Sequence, residues 1–242
     1  MSYRGFHYRV TLPLLVLIGS WYALQGGTLA IILPVLLLCS IVVVFTFPWD
    51  NWAIRRGIWD FPDERLLFRI DRLPIEELAF FILQTLHASL LTLGLCERDP
   101  SSRYSGIVIV DTDVALCIAT FTVAWIVIGV LSRRILMQRS RYSYAYHLIV
   151  WFLPVIIVQW LFAEPILSAR LDVIMISTML IGTVLTIADV WAIRHRIWFF
   201  DHNQITGKFI GGILPWEEAA FFYMTSLLVS QSILLLVPET LR

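Results

Sequence analysis

The chain is poor in charge. Of its 242 residues, 15% are Asp, Glu, Lys or Arg, against about 25% in a typical soluble domain, and 59% are hydrophobic. A soluble function is excluded on that ground. Lysine is nearly missing: Lys208 stands alone, in a polar stretch, which excludes a seven-helix photoreceptor whose retinal is bound to a lysine inside a span. Formal charges sum to zero, so no nucleic-acid partner is expected. The three cysteines, Cys39, Cys96 and Cys117, have no paired spacing, which leaves no disulfide framework and no thiolate metal site. His7, His147, His195 and His202 show no ligand spacing, and His87 reads as a hydrogen-bonded interior histidine. No metal is expected. No Gly-x-Gly-x-x-Gly turn follows a strand-like run, so no dinucleotide cofactor, and no other cofactor, is assigned.

What is present is hydrocarbon in long runs. Stretches at 10–24, 28–47, 75–95, 112–132, 146–163, 171–190 and 215–237 approach the ~20 residues that cross a bilayer as a helix. They do not alternate apolar and polar residues as barrel strands do. The expected fold is an all-α integral membrane protein of seven transmembrane helices. With a cytoplasmic N-terminus, the inside segments hold 14 of the 18 Lys and Arg: Arg4, Arg9, Arg55, Arg56, Arg65, Arg69, Arg72, Arg133, Arg134, Arg139, Arg141, Arg194, Arg196 and Lys208. Arg98, Arg103, Arg170 and Arg242 lie outside. The asymmetry follows the positive-inside rule, placing the protein in the cell membrane with its C-terminus outside.

The chain also repeats itself. Asp50-Asn-Trp-Ala-Ile-Arg-Arg-Gly-Ile-Trp59 matches Asp189-Val-Trp-Ala-Ile-Arg-His-Arg-Ile-Trp198, and Leu73-Pro-Ile-Glu-Glu-Leu-Ala-Phe-Phe81 matches Leu214-Pro-Trp-Glu-Glu-Ala-Ala-Phe-Phe222. More weakly, Leu12-Pro13 through Trp21 resembles Leu153-Pro154 through Trp160. Spans 1–3 thus correspond to spans 5–7, giving two parallel three-helix repeats joined by a linker helix (3+1+3). The expected units are 1–110, the linker helix and loop at 111–145, and 146–242.

Pro74 and Pro215 suit the first turn of a helix, which puts Glu76, Glu77, Glu217 and Glu218 in the first turns of spans 3 and 7. Acids there are stabilised by the helix dipole, which alone would explain one such pair. Two identical pairs at equivalent membrane edges, each followed by Phe-Phe, point to function. A carboxylic acid in an apolar site can donate a proton, a neighbouring carboxylate can accept one, and aromatic faces attract cations. Those are the parts needed to protonate a C=C bond, hold a carbocation and remove a different proton, an isomerisation without redox change. Asp50 and Asp189 are the second repeated acid, read equally as site residues or as loop carboxylates paired with Arg. Trp52, Trp59, Trp191 and Trp198 read as an interface belt.

Thr46-Phe-Pro-Trp-Asp-Asn-Trp-Ala, Gly57-Ile-Trp-Asp-Phe and the twin Leu-Pro-Ile-Glu-Glu and Leu-Pro-Trp-Glu-Glu segments resemble the membrane-embedded lycopene cyclases, in their fused form, over nearly the whole chain. The resemblance implies an intramolecular lyase that cyclises the ψ ends of lycopene or a related linear carotenoid to ionone rings, typically β. Glu76, Glu77, Glu217 and Glu218 are then the catalytic candidates, one glutamate of an active pair as acid and its neighbour as base, with Asp50 and Asp189 secondary. The chain departs from the pattern at Arg196, which stands where the first copy has Gly57. The alternatives are a small-solute transporter of the same 3+1+3 layout and a carotenoid-binding protein without catalysis. A transporter would hold its substrate near the midplane, whereas the repeated acids gather at the cytoplasmic edge. Partners are then the carotenoid and the lipid bilayer, with homo-oligomer formation left open.

Overall fold

The computed structural model describes residues 1–98, 112–137 and 139–241, the side chains of 133–137 excepted. Arg103, Arg242, the unit boundary at 110/111 and the side chains of Arg133 and Arg134 lie outside what is described. Six helices among the described residues are long and apolar enough to cross a bilayer. They are α3 (Ile32–Arg56), α4 (Ile75–Arg98), α5 (Thr112–Met137), α6 (Ser143–Ala169), α7 (Leu171–Arg194) and α8 (Trp216–Leu236). α3 carries Pro48, and α6 bends at Ala163 (φ −128°, ψ 19°), just before Pro165, whose ring cannot accept the preceding turn's geometry.

The segment expected at 10–24 takes a different form. The chain is already helical at α1 (Tyr3–Phe6), passes through a π turn at His7–Thr11 and continues as α2 (Leu12–Leu24). α2 alone has 13 residues, about 20 Å at 1.5 Å per residue, short of the ~30 Å hydrocarbon core. The π turn has a local use. The Thr11 carbonyl accepts from Nε2 of His87 on α4 at 2.8 Å, while His7 Nδ1 and Thr11 Oγ1 lie 2.9 Å apart. Such turns concentrate at functional regions.

α4 packs against α2 and α3, α8 packs against α6 and α7, and α4 and α8 meet at the centre. α5 lies against α6. The seam of α4 with α8 and α7 is polar: Gln84 Nε2 donates to Thr225 Oγ1 of α8 at 2.5 Å, and Thr92 Oγ1 lies 2.9 Å from Ser177 Oγ of α7 and 3.1 Å from Ser230 Oγ of α8. Bonds of this kind join membrane helices where lipid offers no hydrophobic drive, at about 0.6 kcal/mol each. Close approach is set by glycine at two points. A Cβ on Gly94 would sit 2.3 Å from the Trp21 ring, and one on Gly182 would sit 2.5 Å from the Tyr223 ring.

The loops 57–74 and 195–215 fold alike. β2 (Arg69–Ile70) pairs with β3 (Leu73–Pro74), and β5 (Phe209–Ile210) pairs with β6 (Leu214–Pro215). β1 (Trp59–Asp60) pairs antiparallel with β4 (Phe199–Phe200), strapping one loop to the other. The second loop carries one more residue at its hairpin tip, where Gly211 and Gly212 take φ of +59° and +72° against Asp71-Arg72 in the first. Left-handed angles at a hairpin tip favour glycine. Pro74 and Pro215 close the hairpins immediately before α4 and α8 rather than standing within their first turns. Arg196 adopts φ +54° where Gly57 has φ +68°. The substitution between the copies therefore leaves the backbone turn in place, at a cost to the arginine of about 1–2 kcal/mol.

Candidate active site

The first turns of α4 and α8 each place two adjacent glutamates, and adjacent helical residues point about 100° apart. The members of a pair therefore face different surroundings. Glu76 turns back to its hairpin, where Oε1 accepts from the Leu67 N–H at 2.8 Å. Glu217 does the same with the Thr206 N–H at 2.6 Å. Both carboxylates stitch the loop backbone to the helix start, and neither lines the cavity described next.

Glu77 and Glu218 turn inward. Glu77 Oε2 accepts from the hydroxyl of Tyr3, and Glu218 Oε2 from the hydroxyl of Tyr144. Tyr3 comes from the short helix before the π turn and Tyr144 from the first turn of α6. The two Tyr–Glu pairs face one cavity of about 30 Å³, bounded also by Asp50, Trp49, Trp59, Phe61, Phe80, Trp198, Phe200, Phe221 and Phe222. Its volume suits about one water molecule, so a ring-sized guest requires the aromatic walls to part. No Lys or Arg is among the lining residues. The ion pairs Arg55–Asp71, Arg69–Asp60 and Arg69–Asp63 all lie in the loop region outside it.

Asp50 is 1% exposed and accepts from Trp59 Nε1 at 2.9 Å. Asp189 is equally buried, but neither of its oxygens finds a well-formed hydrogen bond, although Trp198 lies beside it. Each aspartate is close enough to Glu77 and Glu218 to interact electrostatically with both. The reading of the aspartates as solvated loop residues or Arg partners is thereby corrected. They sit near the C-terminal ends of α3 and α7, which deliver them to the loop-capped cavity. Trp59 and Trp198, expected in an interface belt, instead wall the cavity at 7% exposure each. Trp52 and Trp191 are half-buried at the edge of the core.

The aromatic wall is dense on one side. The Trp49 ring is stacked between Phe221 (5.4 Å between centroids, 8° between planes) and His147 (5.1 Å, 7°), with Phe152 edge-on at 5.0 Å. Four carboxyl groups, two phenols and a shell of rings together can move protons on a hydrocarbon and face a cation with π density. Among the described residues no cluster of His, Cys, Asp and Glu has the geometry to hold a metal ion.

The family model described as lycopene cyclase matches residues 6–94, 113–172 and 167–236, which between them carry α2 to α8 and most of the cavity wall. The chain belongs to the lycopene cyclase family. A lycopene beta-cyclase of Halobacterium salinarum is 31% identical over 199 residues, covering 82% of this chain and 80% of that protein. Bifunctional lycopene cyclase/phytoene synthases of Arthroderma gypseum and Leptosphaeria maculans are 26% and 28% identical, over 95% and 94% of this chain. The chain spans 40% of the length of each of these fungal proteins. No solved structure matches.

Of the residues expected at a cyclase site, Glu77, Glu218 and Asp50 line the cavity, Asp189 adjoins it, and Glu76 and Glu217 hold the loops. Tyr3 and Tyr144 were not anticipated. A signal for them existed: they stand 141 positions apart, the same offset that relates the two Glu-Glu motifs, and only comparison of the sequence flanking the matched segments would have exposed it.

Proposed function

We propose that this chain, a lycopene cyclase by family, closes the ψ end groups of lycopene to ionone rings, chiefly of the β type, by redox-neutral acid–base chemistry between Glu77 and Glu218. The observation that carries this reading is the convergence of two Tyr–Glu pairs on one aromatic cavity that no cationic side chain lines. A carboxylic acid O–H adds its proton to C2 of the terminal C1=C2 bond, leaving a cation at C1. The C5=C6 π electrons attack C1, forming the C1–C6 bond and moving the cation to C5. A carboxylate then takes the proton from C6, restoring the double bond as C5=C6 and completing the β end. One proton is added and one removed, so substrate and product are isomers.

In this reading Glu77 and Glu218 exchange protons with the substrate, and Tyr3 and Tyr144 orient them and share the bound proton. Asp50 and Asp189 act as the adjoining carboxyl reserve. The π faces of Trp49, Trp59, Trp198 and Phe221 hold the passing cation, an attraction of about 2 kcal/mol where water is excluded. We assign the membrane arrangement as seven spans in a 3+1+3 parallel repeat, with the helical run from Tyr3 to Leu24 as the first. Support comes from the matched hairpins, the matched Glu–loop and Glu–Tyr bonds, and the packing of α4 and α8 each on two helices of its own half. The N-terminus and both hairpin loops then face the cytoplasm.

Expression in a lycopene-accumulating bacterial host, with pigments separated against lycopene, γ-carotene, β-carotene and ε-ring standards, tests the reading. Cyclic products are expected, with β rings dominant. Unchanged lycopene beside abundant protein in the membrane would refute it.

A further inference from the structure

A linear carotenoid is far longer than the cavity that receives its end, so most of the chain must lie elsewhere while that end reacts. One lipid-facing groove adjoins the cavity. Between α3, α6 and α8 an apolar cleft of about 110 Å³ is lined by Leu38, Ile41, Phe45, Phe152, Val155 and Leu228, among others. It continues onto the outer surface of α3 and α6, where Ile41 and Phe45 are joined by Val44, Pro48 and Trp151. Ile41 and Val44 are 47% and 75% exposed on the lipid-facing side. The inner end of the groove is closed by a single layer of rings. Phe152, which lines the groove, touches Trp49 at 5.0 Å and Phe221 at 5.8 Å, and both of these line the acid cavity.

The other half does not repeat this partition. By the offsets of the matched motifs, Trp49 corresponds to Ala188, Phe45 to Val184 and Phe152 to Thr11. The Trp49–Phe152 partition is therefore particular to the α3–α6 side; its counterpart positions Ala188 and Thr11 carry no ring.

Resting on the proposed cyclisation, we propose that the α3–α6–α8 groove is the binding site for the polyene chain of the substrate, and that the end group reaches Glu77 and Glu218 by displacing the Trp49–Phe152 partition. The groove offers what a conjugated hydrocarbon requires: apolar walls, aromatic edges to pack against its π system and an opening to lipid rather than water. Charge is missing from its walls, and the few polar groups there, Thr46, Thr225 and Ser232, are hydroxyls that the helices or a neighbouring glutamine already engage.

The test uses the full chain in lipid nanodiscs. Val155→Trp and Ile41→Trp fill the groove without touching the acid cavity, and Leu180→Trp, on the lipid-exposed face of α7, is the control. Both groove variants should lower kcat/KM for lycopene at least tenfold, and the control should leave it unchanged. A second measurement needs no bulky residue. Ile41→Cys in a Cys117→Ser background carries a nitroxide spin label, with Leu180→Cys as its control, and lycopene is then added. Label motion at position 41 should slow severalfold on addition, with no change at 180. Wild-type kinetics in both groove variants, or, if they fail to accumulate, an unchanged spectrum at position 41, would overturn the groove proposal. An inactive wild-type protein would instead overturn the cyclisation on which it rests, and the two failures are thereby told apart.

Discussion

Replacing the two members of one glutamate pair separately gives the sharpest test of the site. Glu77 faces the cavity and Glu76 faces the Leu67 N–H. Glutamine at 77 keeps the shape and can still accept from Tyr3, but it cannot deliver or take a proton. Positioned acid–base groups contribute roughly 100- to 10,000-fold, so Glu77→Gln should lower kcat by that range, about 3–5 kcal/mol at 1.36 kcal/mol per tenfold. Glutamine at 76 keeps an oxygen for Leu67 and loses only the charge assistance of the bond. A hydrogen bond to a charged group is worth about 1.5–3 kcal/mol and a neutral one about 0.5–1.5. Glu76→Gln should therefore cost about 1 kcal/mol of stability and leave kcat within a few-fold of wild type. Glu218→Gln and Glu217→Gln should divide in the same way. The assay is lycopene turnover in nanodiscs with chromatographic product analysis, beside thermal unfolding of each variant. Equal losses at 76 and 77 in intact protein, or wild-type turnover in both Glu77→Gln and Glu218→Gln, would refute the assignment.

Other consequences are open to measurement. Tyr144→Phe removes the hydroxyl that donates to Glu218, and kcat should fall roughly 10- to 100-fold, the equivalent of a charge-assisted hydrogen bond; wild-type kcat would remove the tyrosine from the site. Arg196→Gly relieves φ +54° and should raise stability by about 1 kcal/mol, read as a higher unfolding temperature. Gly94→Ala drives a Cβ to 2.3 Å from the Trp21 ring and should destabilise the bundle by about 1–3 kcal/mol, whereas alanine at Gly129, which meets no neighbour, should not. Asp201, in the loop outside the spans, is held below its usual carboxylate value chiefly by the Asn203 N–H. Its stabilising contribution is complete above the unfolded value near 4 and fades as pH falls through the lower folded value. Asp201→Asn should thus flatten the acid-side loss of unfolding temperature, and an unaltered acid slope in that variant would count against the loop bond.

Much of this was legible in the residues. Apolar run length located the helices, because a bilayer imposes one length on every span, and the twin Glu-Glu motifs marked where α4 and α8 begin. The division of labour within each motif was not legible. Adjacent residues share a local sequence context, and only the direction of the first helical turn decides that Glu76 meets a loop amide while Glu77 meets a tyrosine. Trp59 and Trp198 were misplaced for a related reason: tryptophan near a helix end suits both an interface belt and a cavity wall, and the β1–β4 strap that folds them inward is two residues long on each side, too short to register as strand in the sequence. The first helix misled through its π turn, which hydropathy does not encode. Tyr3 and Tyr144 were missed because a lone phenol beside a membrane segment has an ordinary explanation until its carboxylate partner is known.

The tightness of the acid cavity bears on the fate of the hydrogen atoms. Trp59, Trp198, Phe61 and Phe200 roof the space over Glu77 and Glu218, and the reaction consumes no net proton. In the proposed cyclisation the hydrogen taken from C6 can return to the carboxyl that gave one to C2, and turnover then need not wait on the aqueous phase. On the proposed cyclisation, rings formed in deuterated water should carry well below one deuterium each at C2, with a fraction that rises when the aromatic rings over the cavity are trimmed. Isotope content of the product would then measure, cycle by cycle, how often the enzyme exchanges its proton with the cell before it closes the next ring.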